Sequence, residues 1–237
     1  MLLMPRSLET TAPESAGTPA GTRAGAQAPV VRRLGLAGYR PTYEAMRRFT
    51  DARAPDTPDE LWIVEHPSVY TVGMAGRAEH LPREGSISGL IPLEHIDRGG
   101  QITYHGPGQA IVYTLFDLAR RGLSVRSLVR LLEQSAIDCL APYNVQASRR
   151  TGAPGVYVGG AKVAALGLRV RRGCCYHGIA LNVNMDLEPF SAIDPCGYPG
   201  LAVTQTSALG IREDTGAMGE ALARRIAALI EELHAAG

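Results

Sequence analysis

GAPGVYVGGAKVAALGLRVRRGCCYHGIALNVNMDLEPFSAIDPCGYPG, residues 152–200, is the stretch from which the fold is read. Two turn signals, Gly159-Gly160 and Arg171-Arg172-Gly173, divide it into apolar runs. Those runs read as strands over residues 155–158, 161–170 and 176–183. Strands in hairpin-like succession predict a sheet, and the helical patterns elsewhere must pack on it. The same stretch carries two residue choices that packing alone does not demand. The chain has 24 lysines and arginines, and Lys162 is the only lysine. A guanidinium cannot be deprotonated inside a protein, whereas an ammonium in apolar surroundings shifts its pKa and can act as a base. The neighbours of Lys162, Gly-Gly-Ala before it and Val-Ala-Ala-Leu-Gly after it, are small and apolar. The second choice is Cys196, set in Asp194-Pro195-Cys196-Gly197-Tyr198-Pro199-Gly200. A turn of this kind is where a rigid scaffold holds a reactive group.

Moving toward the N-terminus, a helix is predicted after Ser124, which is placed to cap it. Val125, Leu128, Val129, Leu132, Ala136, Cys139 and Leu140 recur at helical spacing, and Cys139 is read as a core residue. Before it, Arg98-Gly-Gly-Gln-Ile-Thr-Tyr-His-Gly-Pro-Gly-Gln109 is rich in glycine. It reads either as a hairpin with tight turns or as a binding loop whose glycines let a ligand approach the backbone. Neither a Walker loop nor a dinucleotide fingerprint is present in it. Strands are expected at 30–34, 61–65, 91–96 and 109–115, and a helix from Pro41 to about Arg53. Pro67 disfavours helix at His66, so residues 66–71 are expected to form an extended turn. Residues 73–89 are expected to be a loop. Toward the C-terminus, a helix over 216–234 should turn Leu222, Ile226, Leu229, Ile230 and Leu233 inward.

Residues 1–28 are dominated by Ala, Gly, Thr, Pro and Ser. They are expected to be a disordered tail, leaving residues 29–237 as one domain. A net charge of +1 makes no electrostatic case for nucleic acid, and no apolar run is long enough for a spanning helix. Four irregularly spaced cysteines are not a disulfide framework, which fits a reducing, cytoplasmic compartment.

The cysteines allow three chemistries. Cys174, Cys175, Cys196 and His177 could bind zinc, but adjacent cysteines seldom both reach one tetrahedral metal and no C-x-x-C pair occurs. Cys196 could be an inert buried thiol. It could also be a nucleophile whose thiolate is favoured by a nearby ammonium.

Four segments, RGGQITYHGPGQ (98–109), GAKVAALG (160–167), RGCCYHGIALNVNMD (172–186) and PCGYPG (195–200), resemble the octanoyl-acyl carrier protein:protein octanoyltransferases, also called lipoate-protein ligase B. HPSVYTVG (66–73) adds a further matching segment. The resemblance implies an α/β (α+β) fold like the biotin and lipoate protein ligases, a twisted mixed sheet flanked by helices. It implies a ping-pong transfer through a thioester on Cys196, with Lys162 as the residue that tunes and shuttles protons. It assigns substrate contacts to Arg98, Gly99, Gly100, Gln101, Ile102, Thr103, Tyr104 and His105, to Ala165, Leu166 and Gly167, and to Gly178, Ile179 and Ala180. The implied donor is octanoyl-acyl carrier protein, and the implied acceptors are lipoyl domains of 2-oxoacid dehydrogenase E2 subunits and the glycine cleavage H protein. Thioester exchange needs no ATP, so no cofactor and no metal are expected, and a monomer suffices. Val163, Leu166 and Ile179 are candidates to line an acyl tunnel, and backbone N–H groups at 178–180 are candidates for an oxyanion hole. His105 and His177 read as structural or acyl-site residues rather than bases. Two rivals are an ATP-dependent lipoate ligase, which needs the lysine but no cysteine, and a binding module without turnover.

Overall fold

The computed structural model describes residues 27–82, 90–194 and 200–235. Its body is a seven-stranded mixed sheet in the order β1-β2-β6-β10-β9-β8-β7. Strands β1 (Val30–Leu36) and β2 (Glu60–Glu65) are parallel, joined across helix α1 (Tyr39–Asp51). The remaining neighbours, β6 (Gln109–Asp117), β10 (Cys174–Asn182), β9 (Ala161–Arg171), β8 (Val156–Val158) and β7 (Ala147–Arg149), are antiparallel. The hairpin succession expected over 155–183 is β8, β9 and β10. The edge strand β7 is too short and too polar to be read from its pattern.

Burial explains why the central strands lack a clean polar alternation. Residues 109–116 of β6 are all buried. Ala110, Val112 and Phe116 join one core beneath α2 (Val125–Leu140) and α3 (Thr215–Ala235), while Ile111, Tyr113 and Leu115 join a second core beneath α1. A strand covered on both faces must be apolar on both. Ser124 caps α2, accepting from the Ser127 N–H. On α3, Leu222, Ile226 and Ile230 are fully buried, and Gly219 lets the helix close on the sheet: a Cβ there would stand 2.9 Å from Ile63 Cγ2. Leu233, expected inward, is instead 52% exposed in the last turn.

The loop region departs from expectation in a second way. A separate three-stranded sheet, in the order β4-β3-β5, forms from β3 (Val69–Val72), β4 (Leu93–His95) and β5 (Ile102–His105). The extended turn expected at 66–71 therefore gives way to strand at Val69, and the strand expected at 91–96 shortens to three residues. Residues 98–109 are not a simple hairpin, because β5 pairs with β3 and β6 pairs with the large sheet. Of the tail expected at 1–28, only Gln27 and Ala28 lie among the described residues. The Arg121 guanidinium, which also grips the buried carboxylate of Asp59, donates to Gln27 O at 2.8 Å. No helix among the described residues is long and apolar enough to cross a membrane.

Candidate active site

Lys162 stands one residue into β9, at the edge where β8 meets it, and is only 3% exposed. A register shift in the β8–β9 pairing sets Tyr157 opposite Lys162, and the Tyr157 ring lies 5.3 Å from the ammonium. This is cation–π range. Nζ also donates to Pro154 O at 3.2 Å. Gly155, at φ +140°, makes the approach possible: a Cβ there would lie 3.0 Å from Lys162 Cε and 2.9 Å from Ala164 O. The loop is pinned from beneath by buried Glu133 of α2, which accepts from Gly155 N at 3.0 Å.

On its other side β9 is met by the returning chain. Lys162 N donates to Ala202 O at 2.8 Å, and Thr204 N donates to Lys162 O at 2.9 Å. Thr204 O in turn accepts from Asn182 Nδ2 at 3.0 Å. Asn182 Oδ1 accepts from Gln109 Nε2 at 2.9 Å, and Gln109 Oε1 lies 2.7 Å from His105 Nδ1. This buried chain has a fixed sense. A backbone carbonyl can only accept, so Asn182 presents its amide nitrogen to Thr204 and its oxygen to Gln109. Gln109 must then present oxygen to His105, whose Nδ1 carries the proton. His105 is thus the Nδ1–H tautomer, and burial, followed by the neighbouring His66, pushes its pKa down to about 3. His66 is likewise neutral. Its Nδ1 donates to Ala37 O at 2.6 Å, its Nε2 accepts from Tyr113 Oη at 2.8 Å, and burial lowers it to about 4.

Beyond Lys162, β9 and β10 form the floor of a cavity with an empty volume of about 530 Å³, part of it open to solvent. Its lining includes Arg98, Gly100, Gln101, Ile102, Thr103, His105, Ala165, Leu166, Gly167, Gly178, Ile179 and Ala180. Two of the expected contacts lie outside it. Gly99 spends its N–H on Leu168 O, and Tyr104 bonds Ser68 Oγ and packs on Phe190 in the core of the small sheet. Val163, offered as a tunnel residue, is fully buried in the core shared with α2 and α3. The N–H groups at 178–180 cannot form an oxyanion hole, because β10 is paired along both edges and spends them on β6 and β9.

Tyr39, Ile111, Tyr113 and His177 complete the lining. His177 reaches it through an unusual backbone. Strict alternation would send it away from Tyr176, but at φ +66° its ring joins the Tyr176 side. There it stacks on Tyr43 at 5.7 Å. Positive φ is rare for a residue with a Cβ and marks a conformation that the surroundings impose. His177 Nε2 lies 3.6 Å from Asp97 Oδ1. Burial lowers the pKa of His177, while the hydrogen bond from Tyr176 Oη, with His177 and Tyr43 close by, overcomes burial to hold Asp97 below the usual carboxylate range. Arg98 is buried, its Nη2 donating to Thr71 O at 2.7 Å and to Thr71 Oγ1 at 2.9 Å. The glycines beside it are spatial necessities: a Cβ at Gly73 would meet Gly100 O at 2.4 Å, and one at Gly167 would meet Gly99 O at 3.1 Å.

Cys196 lies outside the described residues. Cys175 is a buried core thiol within 3.4 Å of Thr114 O, raised to about 12 by burial, and Cys174 is raised in the same direction for the same reason. Among the described residues no group of three His, Cys, Asp or Glu side chains could hold a metal ion. Sequence reasoning missed Gln109, Asn182, Tyr39 and Tyr113. Gln109 and Asn182 stood inside two quoted segments, but only their side-chain pairing gives them a task.

Residues 39–223 match the model of the lipoyl protein ligase A/B catalytic domain. An octanoyltransferase of Aromatoleum aromaticum is 57% identical over 98% of this chain and 95% of its own length. One from Dechloromonas aromatica is 58% identical over 84% of this chain and 95% of its own. Among solved structures, the bipartite lipoate protein ligase of Thermoplasma acidophilum superposes with a TM-score of 0.69 at 16% identity, covering 87% of this chain and 84% of that one, a likeness of fold. The chain belongs to the lipoyl protein ligase A/B catalytic-domain family, among its octanoyltransferases.

Proposed function

We propose that this protein transfers an octanoyl group to a lysine of a lipoyl domain, from octanoyl-acyl carrier protein as donor and through a thioester on Cys196. The observation that carries the reading is the burial of the chain's single lysine at the end of the strand that floors a largely apolar cavity. Cys196 precedes Ala202, the partner of Lys162 N, by six positions, a tether of at most about 20 Å when fully extended.

The steps balance without a cofactor. Lys162 takes the proton of the Cys196 thiol, and the thiolate adds to the donor carbonyl. The tetrahedral intermediate then expels the pantetheine thiolate, which Lys162 protonates. In the second half the acceptor amine adds to the acyl-enzyme, Lys162 removes its proton as general base, and the Cys196 thiolate departs. The products are an amide and the free enzyme. Exchange of thioesters is nearly isoenergetic, and the greater stability of the amide drives the second half. Arg98 holds loop 98–101 against β3 and β9, so that the cavity is shaped before substrate arrives. Ile102, Ile111, Leu166, Ile179 and Ala180 in its lining suit it to an alkyl chain. We place the protein in the cytoplasm as a monomer, with E2 lipoyl domains and the glycine cleavage H protein as acceptors.

Mixing the protein with octanoyl-acyl carrier protein in the absence of nucleotide, then measuring intact mass, tests the reading. An octanoyl adduct that is absent in Cys196→Ser and is passed to a lipoyl domain is expected. Product that forms only with ATP would instead indicate a ligase, and no product at all a binding module.

A further inference from the structure

The overall charge of this chain is nearly balanced, yet four arginines converge on one groove. Arg126 and Arg130 project from the first turns of α2, and Arg149 and Arg150 come from the end of β7 and the residue after it. One carboxylate, Glu133, shares the groove, and Arg149 is bound to it at 3.1 Å. Arg126, Arg130 and Arg150 are exposed. Pro154, whose carbonyl accepts from Lys162 Nζ, also lines the groove. A single residue therefore separates this cationic surface from the reactive amine. Arg149 serves the fold, tying β7 to α2 through Glu133, Gln134 and Arg130 O, but the transfer chemistry does not require the exposed Arg126 and Arg130.

We propose that this groove docks the acyl donor, an acidic carrier protein bearing its acyl group on a phosphopantetheine arm. The proposal rests on the acyl-transfer reading above. Guanidinium groups match carboxylates and phosphates with paired hydrogen bonds. A cationic surface beside the chemistry favours the anionic arm of the donor. It offers no attraction to the acceptor, whose lysine is a cation in solution and sheds that proton to water before its amine attacks. Surface charges of this kind act through encounter rate and salt dependence.

The test compares octanoyl-acyl carrier protein with octanoyl-pantetheine, which has neither protein nor phosphate, as acylating substrates of the full chain. Arg126→Glu combined with Arg130→Glu reverses the charge on an exposed helix face and leaves the Arg149–Glu133 pair intact. Arg126→Gln with Arg130→Gln is the milder companion. The expected result is a KM for the protein donor raised about tenfold by charge reversal and less by neutralisation. The native KM for that donor should also rise with ionic strength, and the reversed variant should lose most of this dependence. The KM for octanoyl-pantetheine and for the lipoyl domain should each stay within about twofold of native. An unchanged KM for the carrier protein overturns the proposal, as does an equal rise for both donors. A rise confined to the lipoyl domain overturns it in favour of acceptor docking. A native protein that neither donor acylates would sink the transfer reading, and this proposal with it.

Discussion

Replacing Lys162 by arginine keeps the positive charge and removes the ability to take a proton. The structure sets the steric part of the cost. Lys162 is 3% exposed, the backbone at Gly155 is so close that a Cβ there would stand 3.3 Å from Nζ, and the Tyr157 ring covers another side. A guanidinium is broader than an ammonium, so Pro154 and Gly155 must shift, at about 1–3 kcal/mol of stability. The chemical part is larger. Losing a general base costs about 10²–10⁴-fold, or ~3–5 kcal/mol of transition-state stabilisation. The assay is single-turnover: octanoyl-enzyme is preformed, mixed with a lipoyl domain, quenched at intervals and read by intact mass. Lys162→Arg should pass its acyl group at least about a hundredfold more slowly than native. Lys162→Met, which fits the space without the charge, should be no faster. A Lys162→Arg enzyme within threefold of the native rate, ~0.7 kcal/mol, would refute the proton-shuttle role and leave Lys162 as a positioning charge.

Gln109→Glu should break the fixed sense of the buried chain. The carboxylate cannot donate to Asn182 Oδ1 and will draw a proton onto His105, so a new ionisation should appear in the pH profile of kcat/KM, with kcat reduced about tenfold or more. Stability should fall in acid because His66 and His105 are buried neutral. Their folded pKa values, about 4 and about 3, lie below the unfolded value, so the unfolded state binds more protons. Stability is thus full above about pH 6.5 and declines as pH falls from there toward 4, by up to ~2.7 kcal/mol per unit for the two together. Urea titrations should show this slope, and His66→Asn should roughly halve it in a folded variant. Removing residues 1–26 should leave activity and Tm unchanged. A start at Val30 deletes the Gln27 carbonyl that Arg121 uses and should lower Tm by a few degrees.

Local pattern alone determined most of the elements. The turn dipeptides located the β8–β9–β10 succession, helical spacing and Ser124 located α2, and a lone lysine among arginines singled out position 162. These are short-range signals, each contained in a few neighbouring residues. Only the tertiary structure decided that 69–72 and 102–105 leave the main sheet to form a small one, because the choice of strand partner depends on residues far away in sequence. It alone turned His177 onto the cavity face, since its positive φ is imposed by packing and opposed by its own residue type. The same holds for the link from His105 to the backbone of Lys162. It runs through an amide pair, Gln109 and Asn182, separated by 73 positions, and hydrogen bonds between side chains at that distance leave no periodicity to read. Chemistry-bearing residues were visible because their types are unusual where they stand, whereas the residues that orient them acquire their meaning only from what they touch.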